Sequence, residues 1–459
     1  MFDKFVLQRD VEAALDALPT DFIQNAKREH GLRFIVDARE GRSLPEVTGA
    51  LQRVNERFVV EPLFPEPLFS PETNPPWSKS IYIATVDGVA FDDVSIDAPE
   101  IAESIRSEGD FVRVSPDILV AAPERPEEQA PSARPILEWE FHAMKIKEAW
   151  TEIFATRSGD RARPGNGVRI AHPDTGWYYH EVWNQGVTGH RNLDHRAGWN
   201  FVENSRNGGE WNALDRMDGP FNGHGTSTAS VMVAGPNRKI TGVAPWATVV
   251  PIRAGRSVVL NGGVAELTKA IEFARTKTNC RIISMSLGWY KLDPILRAEI
   301  QEAVKKNIIV VAAAGQYYPD HSTCEPAKYS EVVGVAGIDG FNRLREGEPW
   351  KYSHRDPDGT ITISAPATPI YRAKAVSGSR NKYDDSEGTS YATAFVAGIA
   401  AMWLSYHFHD GYEGNIPAYK CFKEHLDRTA ARHWPNQEKW FVGLVDAEQL
   451  IMTKPKNNQ

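Results

Sequence analysis

Beyond residue 137, short apolar runs alternate with amphipathic stretches. GVRIAHPD (167–174), TVVPIRA (248–254), RIISMSLG (281–288), NIIVVAAAG (307–315) and EVVGVAGID (331–339) are largely apolar, whereas GVAELTKAIEFARTK and PILRAEIQEAVKKN carry apolar residues at helical spacing. Continuous apolar strands separated by amphipathic helices predict an α/β fold, with a mostly parallel sheet covered by helices on both faces. In such folds the working residues sit at the carboxyl ends of the strands.

The pattern upstream is different. RFIVDA (33–38), RFVVEPLF (57–64), SIYIATVD (80–87) and FVRVSPDILVAA (111–122) read as strands, and LPEVTGALQRVN (44–55) and PEIAESIRSE (99–108) as helices. Their order is β-α-β-β-α-β, a ferredoxin-like α+β domain over residues 31–122, a fold that names no function by itself. Residues 1–30 read as a helical segment, and AAPERPEEQAPSARP, with its prolines and charges, reads as an exposed linker over 123–136. The larger domain then runs from 137 to 459.

Composition narrows the class. A chain of 459 residues, 41% hydrophobic and 24% charged, is globular and too long for one ordinary core. Three cysteines, Cys280, Cys324 and Cys421, give no disulfide framework and fit a reducing compartment. The first residues lack a basic start followed by an apolar block, and the apolar stretch VAGIAAMWL is too short to span a bilayer. The expected location is therefore cytoplasmic, with no membrane partner. Residues 1–135 hold 14 Lys+Arg and 25 Asp+Glu, a charge of −11 that leaves +3 of the net −8 for the remainder. This asymmetry suits mutual attraction of the two parts more than nucleic-acid binding, and equally suits two solvated surfaces.

Three short stretches carry candidate chemistry. Asp174 ends the strand VRIAHPD and precedes Thr175-Gly176, which also describes an Asx turn. His224 lies between two glycines in NGHGTSTAS, a setting for a general base or for a core-edge histidine. Ser390 stands in GTSYATAFVAG before a run of small and apolar residues. Such a serine is ordinarily an N-cap, yet free amides and the helix dipole at that place also favour an oxyanion. The chain order Asp, His, Ser matches one of the convergent nucleophilic triads.

With these blocks in place the chain resembles the subtilisin-like serine proteases, or subtilases. The likeness rests on D-T-G at Asp174, G-H-G-T at 223–226 and G-T-S-x-A-T at 388–393, and on GWNFVEN, TGVAPWATVVPIR, SMSLG, VVAAAG, PAKYSEVVGVAG, SAPA and FVGLVDAEQL, in order over residues 137–452. It implies a subtilisin-like fold and a serine endopeptidase acting on protein or peptide substrates. Ser390 would be the nucleophile, His224 its base and Asp174 the residue that fixes the imidazole. Ser286, Leu287 and Gly288 would pair with substrate backbone, and Ala313, Ala314 and Gly315 would form the opposite wall. No cofactor is required for this chemistry. Many subtilases bind calcium, but no ligand set is assignable here, and His172, His180, His321 and His354 form no metal-ligand spacing. The front domain resembles a prodomain, implying an intramolecular inhibitor cleaved within 120–136; a permanent recognition domain is the alternative.

The chain departs from the family pattern at Gln316, where an oxyanion-donating asparagine is usual. Three readings follow: a glutamine that still donates together with the Ser390 amide, a site poised low until substrate or a partner sets the side chain, and a weak or inactive binding module. A peptide transferase or cyclase using the same acyl-enzyme is a further alternative. Ala394 replaces a frequent proline, and Pro173 removes a backbone donor beside Asp174. Asp384, Asp385 and Glu387 read as a solvated loop, a preference for basic side chains or calcium ligands, and Cys324 as an inert buried thiol near the cleft.

Overall fold

The structure is a computed structural model that describes residues 32–66, 68–70, 72–86, 98–117, 138–183, 191–203, 210–219, 221–236, 239–258, 263–288, 292–316, 323–340, 348–354, 359–409, 411–431 and 442–456. The segment 1–30, the stretch 123–136 and His321 lie outside these residues. The chain divides into two compact units, one of residues 1–127, 201–210 and 259–269, the other of 128–200, 211–258 and 270–459.

In the first unit β1 (Leu32–Asp37), α1 (Leu44–Val54), β2 (Phe58–Pro62), β3 (Ile81–Val86), α2 (Ala98–Gly109) and β4 (Arg113–Pro116) follow one another. The sheet order is β2-β3-β1-β4, antiparallel throughout, which is the ferredoxin-like arrangement. α1 starts where the Glu46 carboxylate accepts from the Ser43 amide at 2.7 Å, and Val47, Ala50 and Leu51 form its buried stripe. These pack with Phe34, Val36, Phe58 and Tyr82. Arg33 is also buried in this unit and is held at 2.6 Å by Asp117 and by both oxygens of Glu266.

The second unit is built on a parallel sheet. β5 (Arg169–Asp174), β6 (Trp199–Asn200), β7 (Thr248–Arg253), β8 (Ile282–Met285), β9 (Ile309–Ala313), β10 (Val333–Asp339) and β11 (Ile363–Thr368) stand in the order β11-β10-β9-β8-β5-β7-β6. The strand order reverses at β5, so the carboxyl ends of β5 and β8 flank the switch point where α/β sheets place their sites. Pro173 is tolerated in this central strand for a local reason. β5 pairs with β8 only at Ile170 and Ala171, so the missing donor of Pro173 lies past the doubly paired stretch.

Two helices bring side chains to that end, α3 (His224–Val233) and α5 (Thr389–His407); α4 (Pro294–Lys305) packs beside β9. α5 is buried nearly all round, as expected for a helix inside a core. Its small residues allow close approach: a Cβ at Gly398 would lie 2.9 Å from Val243 Cβ. Beyond β11, the antiparallel strands β12 (Ile370–Val376) and β13 (Ser379–Ser386) form a hairpin. Among the described residues no helix is long and apolar enough to cross a membrane.

The end of α5 joins α6 (Ala418–Thr429) and α7 (Ala447–Met452) through the imidazoles of buried His425 and part-buried His407. Trp403 Nε1 donates to His425 Nδ1 at 2.8 Å, so the other nitrogen of His425 carries the proton and meets Thr453 Oγ1 at 2.8 Å. A second proton on His425 would face the indole N–H. Burial is the main cause that lowers the pKa of His425 to about 3 and of His407 to about 4. Because these rings stay neutral when folded and charge when unfolded, the unfolded state binds more protons below the ordinary histidine value. Stability is therefore expected to be full above pH ~6.5 and to drop by on the order of 3 kcal/mol for each ring as the pH falls towards ~4. Urea unfolding at stepped pH measures this, and His425→Phe should flatten the dependence.

Candidate active site

Asp174 ends β5 with its side chain wholly buried. His224 Nδ1 lies 2.9 Å from Oδ1 and 3.0 Å from Oδ2, so the imidazole spans both carboxylate oxygens. The Thr175 amide donates to Oδ1 at 2.7 Å. Burial opposes the charge on Asp174, but His224, His172 and the Thr175 amide together outweigh it and hold the carboxyl below its usual range. The pair forms because Gly225 lacks a side chain: a Cβ there would lie 2.1 Å from the Gly176 carbonyl oxygen and 3.2 Å from Asp174 Oδ1.

Ser390 sits in the first turn of α5, half-buried. Its hydroxyl donates to the Ser286 carbonyl at 3.3 Å, and Ser286 Oγ donates to the Ser390 carbonyl at 2.9 Å. The structure thus joins Asp174 to His224 and Ser390 to Ser286, and no hydrogen bond links Ser390 with His224. Catalytic hydrogen bonds are commonly unformed before substrate arrives.

Gln316 follows β9 and reaches the same helix start. The Thr389 amide donates to its Oε1 at 2.6 Å and the Thr389 hydroxyl at 3.1 Å. A backbone N–H needs an acceptor, so these contacts fix which end of the carboxamide is oxygen. The Nε2 amino group then faces away from Thr389, without a partner among the described residues. The extra methylene of glutamine is taken up by this clamp, and the side chain lies over Gly388, within 3.4 Å of where a Cβ there would be.

The other predicted residues lie at or just past the carboxyl ends of β8 and β9. Ser286 and Leu287 are buried, and the Gly288 amide is already spent on the Val258 carbonyl at 3.0 Å. Ala313 closes β9, and the Ala314 amide donates to Val335 at 2.9 Å. Gly315 has φ +94°, and a Cβ there would meet His354 Nδ1 at 2.5 Å and Cys324 Sγ at 2.6 Å. Cys324 is thus a buried thiol directly behind the Gly315–Gln316 wall, 3.4 Å from His354 Nδ1. Ala394 is fully buried in α5. In the acidic run Asp384 pairs with Arg372 at 2.5 Å and Lys374 at 2.7 Å. Among the described residues no cluster of three or more His, Cys, Asp or Glu side chains comes together to hold a metal ion.

The profile of the subtilase family matches residues 165–441, more than half of the chain and all of the residues just described. The chain belongs to the subtilase family. It is similar to a thermophilic serine proteinase of Bacillus sp. (strain AK1), 31% identical over 54% of this chain and 54% of that protein. It is also similar to the major intracellular serine protease of Bacillus subtilis (strain 168), 28% identical over 58% of this chain and 76% of the relative, and to thermitase of Thermoactinomyces vulgaris, 30% identical over 65% and 94%. The chain therefore spans about half the length of the first of these relatives. Among solved structures, MycP1 with its N-terminal propeptide removed shares the fold, with a TM-score of 0.51 at 21% identity over 71% of this chain and 99% of that one.

This subtilase also has residues around the site that its motifs do not announce. Asp215 Oδ2 accepts from Thr175 Oγ1 and from the Gly223 amide, both at 2.7 Å, while Oδ1 accepts from the Met217 amide at 2.8 Å. Buried Arg253 donates to the Thr175 carbonyl at 2.7 Å and lies 3.6 Å from Asp215. One carboxylate thereby ties the residue after Asp174 to the residue before His224. The only signals in the sequence were an aspartate in a loop and an arginine ending an apolar strand. Asp215→Ala leaves three donors without their acceptor and removes a negative charge beside the buried Arg253, and is expected to cost about 3–5 kcal/mol of stability. Thermal and urea unfolding of the variant measure it.

Proposed function

We propose that the chain is a serine endopeptidase that forms an acyl-enzyme at Ser390. The observation that carries this reading is the hydrogen-bonded Asp174–His224 pair, together with a serine in the first turn of α5, within a family-matched stretch. On substrate arrival Ser390 Oγ leaves the Ser286 carbonyl, turns towards His224 Nε2 and attacks the scissile carbonyl carbon. His224 takes the hydroxyl proton and then hands it to the leaving amine. Asp174 keeps the proton on Nδ1 and stabilises the imidazolium. Water repeats the sequence on the ester and frees Ser390.

The oxyanion would accept from the Ser390 amide, which has no partner within its helix, and from Gln316 Nε2. The Thr389 clamp supports the first of the three readings of Gln316, a preorganised donor in place of asparagine. Substrate backbone would lie along Ser286–Gly288 and Ala313–Gly315. The first unit is proposed to restrain this activity; its ferredoxin-like topology and its share of the −11 charge support that role. Three buried cysteines outside any disulfide are compatible with a cytoplasmic setting.

A fluorophosphonate probe should label the wild type and not Ser390→Ala, and loss in Ser390→Ala of the front fragment seen in wild type would reveal self-cleavage within 120–136. Gln316→Leu is expected to lower kcat about 10²–10³-fold with little change in KM, the size of one lost oxyanion donor. Wild-type-like turnover in that variant would remove Gln316 from the mechanism. Products heavier by one water identify hydrolysis, whereas products without added water identify transfer to an amine.

A further inference from the structure

Asp174 does not face His224 alone. Side chains alternate along a strand, so β5 puts residues 170, 172 and 174 on one face. Along α3, His224 and Thr228 stand four residues apart and share a face of the helix. The two elements meet in a buried cluster of His172, Asp174, His224 and Thr228. His172 is 1% exposed. Its Nε2 lies 3.6 Å from Asp174 Oδ2 and 2.9 Å from Thr228 Oγ1, and its Nδ1 lies 3.0 Å from the Ser284 carbonyl oxygen in β8. Thr228 Oγ1 is in turn 3.0 Å from the carbonyl oxygen of His224.

A carbonyl oxygen only accepts, so Nδ1 of His172 carries a proton and donates to Ser284. Burial, the largest influence, lowers the pKa of His172 although Asp174 pulls the other way, so the ring rests neutral with a lone pair on Nε2. The Thr228 hydroxyl, which donates to the His224 carbonyl oxygen, lies against that nitrogen. Oδ1 of Asp174 has the Thr175 amide as well as His224, whereas Oδ2 has no second hydrogen-bond donor among the described residues. The edge of the His172 ring fills the space against Oδ2.

We propose that His172 is a positioning residue for the Asp174–His224 pair, a wedge anchored on the Ser284 carbonyl and the Thr228 hydroxyl that fixes the rotation of the Asp174 carboxylate and the first turn of α3. It touches no reacting atom and acts through Asp174 and Thr228. Its kinetic consequence rests on the endopeptidase reading; its structural consequence does not.

The test uses the full-length chain with His172→Leu, His172→Asn and His172→Gln. Asparagine keeps a donor towards Ser284 but has nothing beside Asp174, whereas glutamine places an amide near Thr228. His172→Leu and His172→Asn are expected to lower kcat about tenfold with KM within about twofold, and His172→Gln to recover part of the loss. Adding His172→Asn to Asp174→Asn should cost little more, because the two act as a unit. In proton NMR, the low-field signal of the His224 Nδ1–H should shift in the leucine and asparagine variants and return towards wild type in the glutamine variant. Melting temperatures separate this from simple destabilisation, and the asparagine and glutamine variants carry the comparison should leucine fail to fold. Additive losses with Asp174→Asn, or a His224 signal unmoved in every variant, overturn the role of His172. A wild type without Ser390-dependent turnover overturns the endopeptidase reading instead, and the NMR comparison still decides for or against His172.

Discussion

A carboxylate with no exposure to water, at the end of the central strand, governs the layout of the cleft. Burying an isolated ionised carboxyl is strongly unfavourable, so Asp174 stays charged only where partners compensate it. The strand supplies the Thr175 amide, α3 supplies the His224 imidazole, and His172 closes the remaining side. His224 comes near enough only because of the glycine beside it, since a side chain there would collide with the backbone after Asp174. A second buried carboxylate, Asp215, locks the two loops that carry the pair.

Ser390 is positioned by packing more than by polar contacts. α5 is lined with alanines and glycine, and it lies against α3 and the sheet closely enough that Gly398 has no room for a methyl group beside Val243. Protein interiors are dense and respond little to small strains, so the helix start that holds Ser390 is fixed by contacts along its whole length. The free amides of that start do two jobs. One holds Gln316, and the next, that of Ser390, is the one proposed to receive the oxyanion. The longer side chain at this position is thus accommodated by a neighbour already in the motif.

Much of this was legible in the chain. The period of the apolar runs gave the parallel sheet, and the alternation upstream of residue 122 gave the ferredoxin-like unit, because strand and helix periodicities follow directly from backbone geometry. The glycines flanking His224 and the serine before the small-residue helix marked candidate residues, since those residue types suit close approach and a helix start. The partners of Asp215 and Arg253 were not legible. Their polar contacts join segments some forty to eighty residues apart, and nothing local distinguishes such an aspartate from a solvated one. His172 looked like a failed metal ligand in the sequence, because spacing to other histidines says nothing about a neighbour across a helix–strand contact.

The sequence alone therefore determined which elements form and which side chains have the chemistry to react, because both depend on residue type and short-range period. Only the tertiary structure decided which carboxylates are compensated, which way the Gln316 amide points, and that Ser390 rests on Ser286 while His224 rests on Asp174. Those outcomes depend on angles and distances between segments far apart in the chain, set by the packing of α3 and α5 on the sheet, and a one-dimensional pattern carries no measure of them.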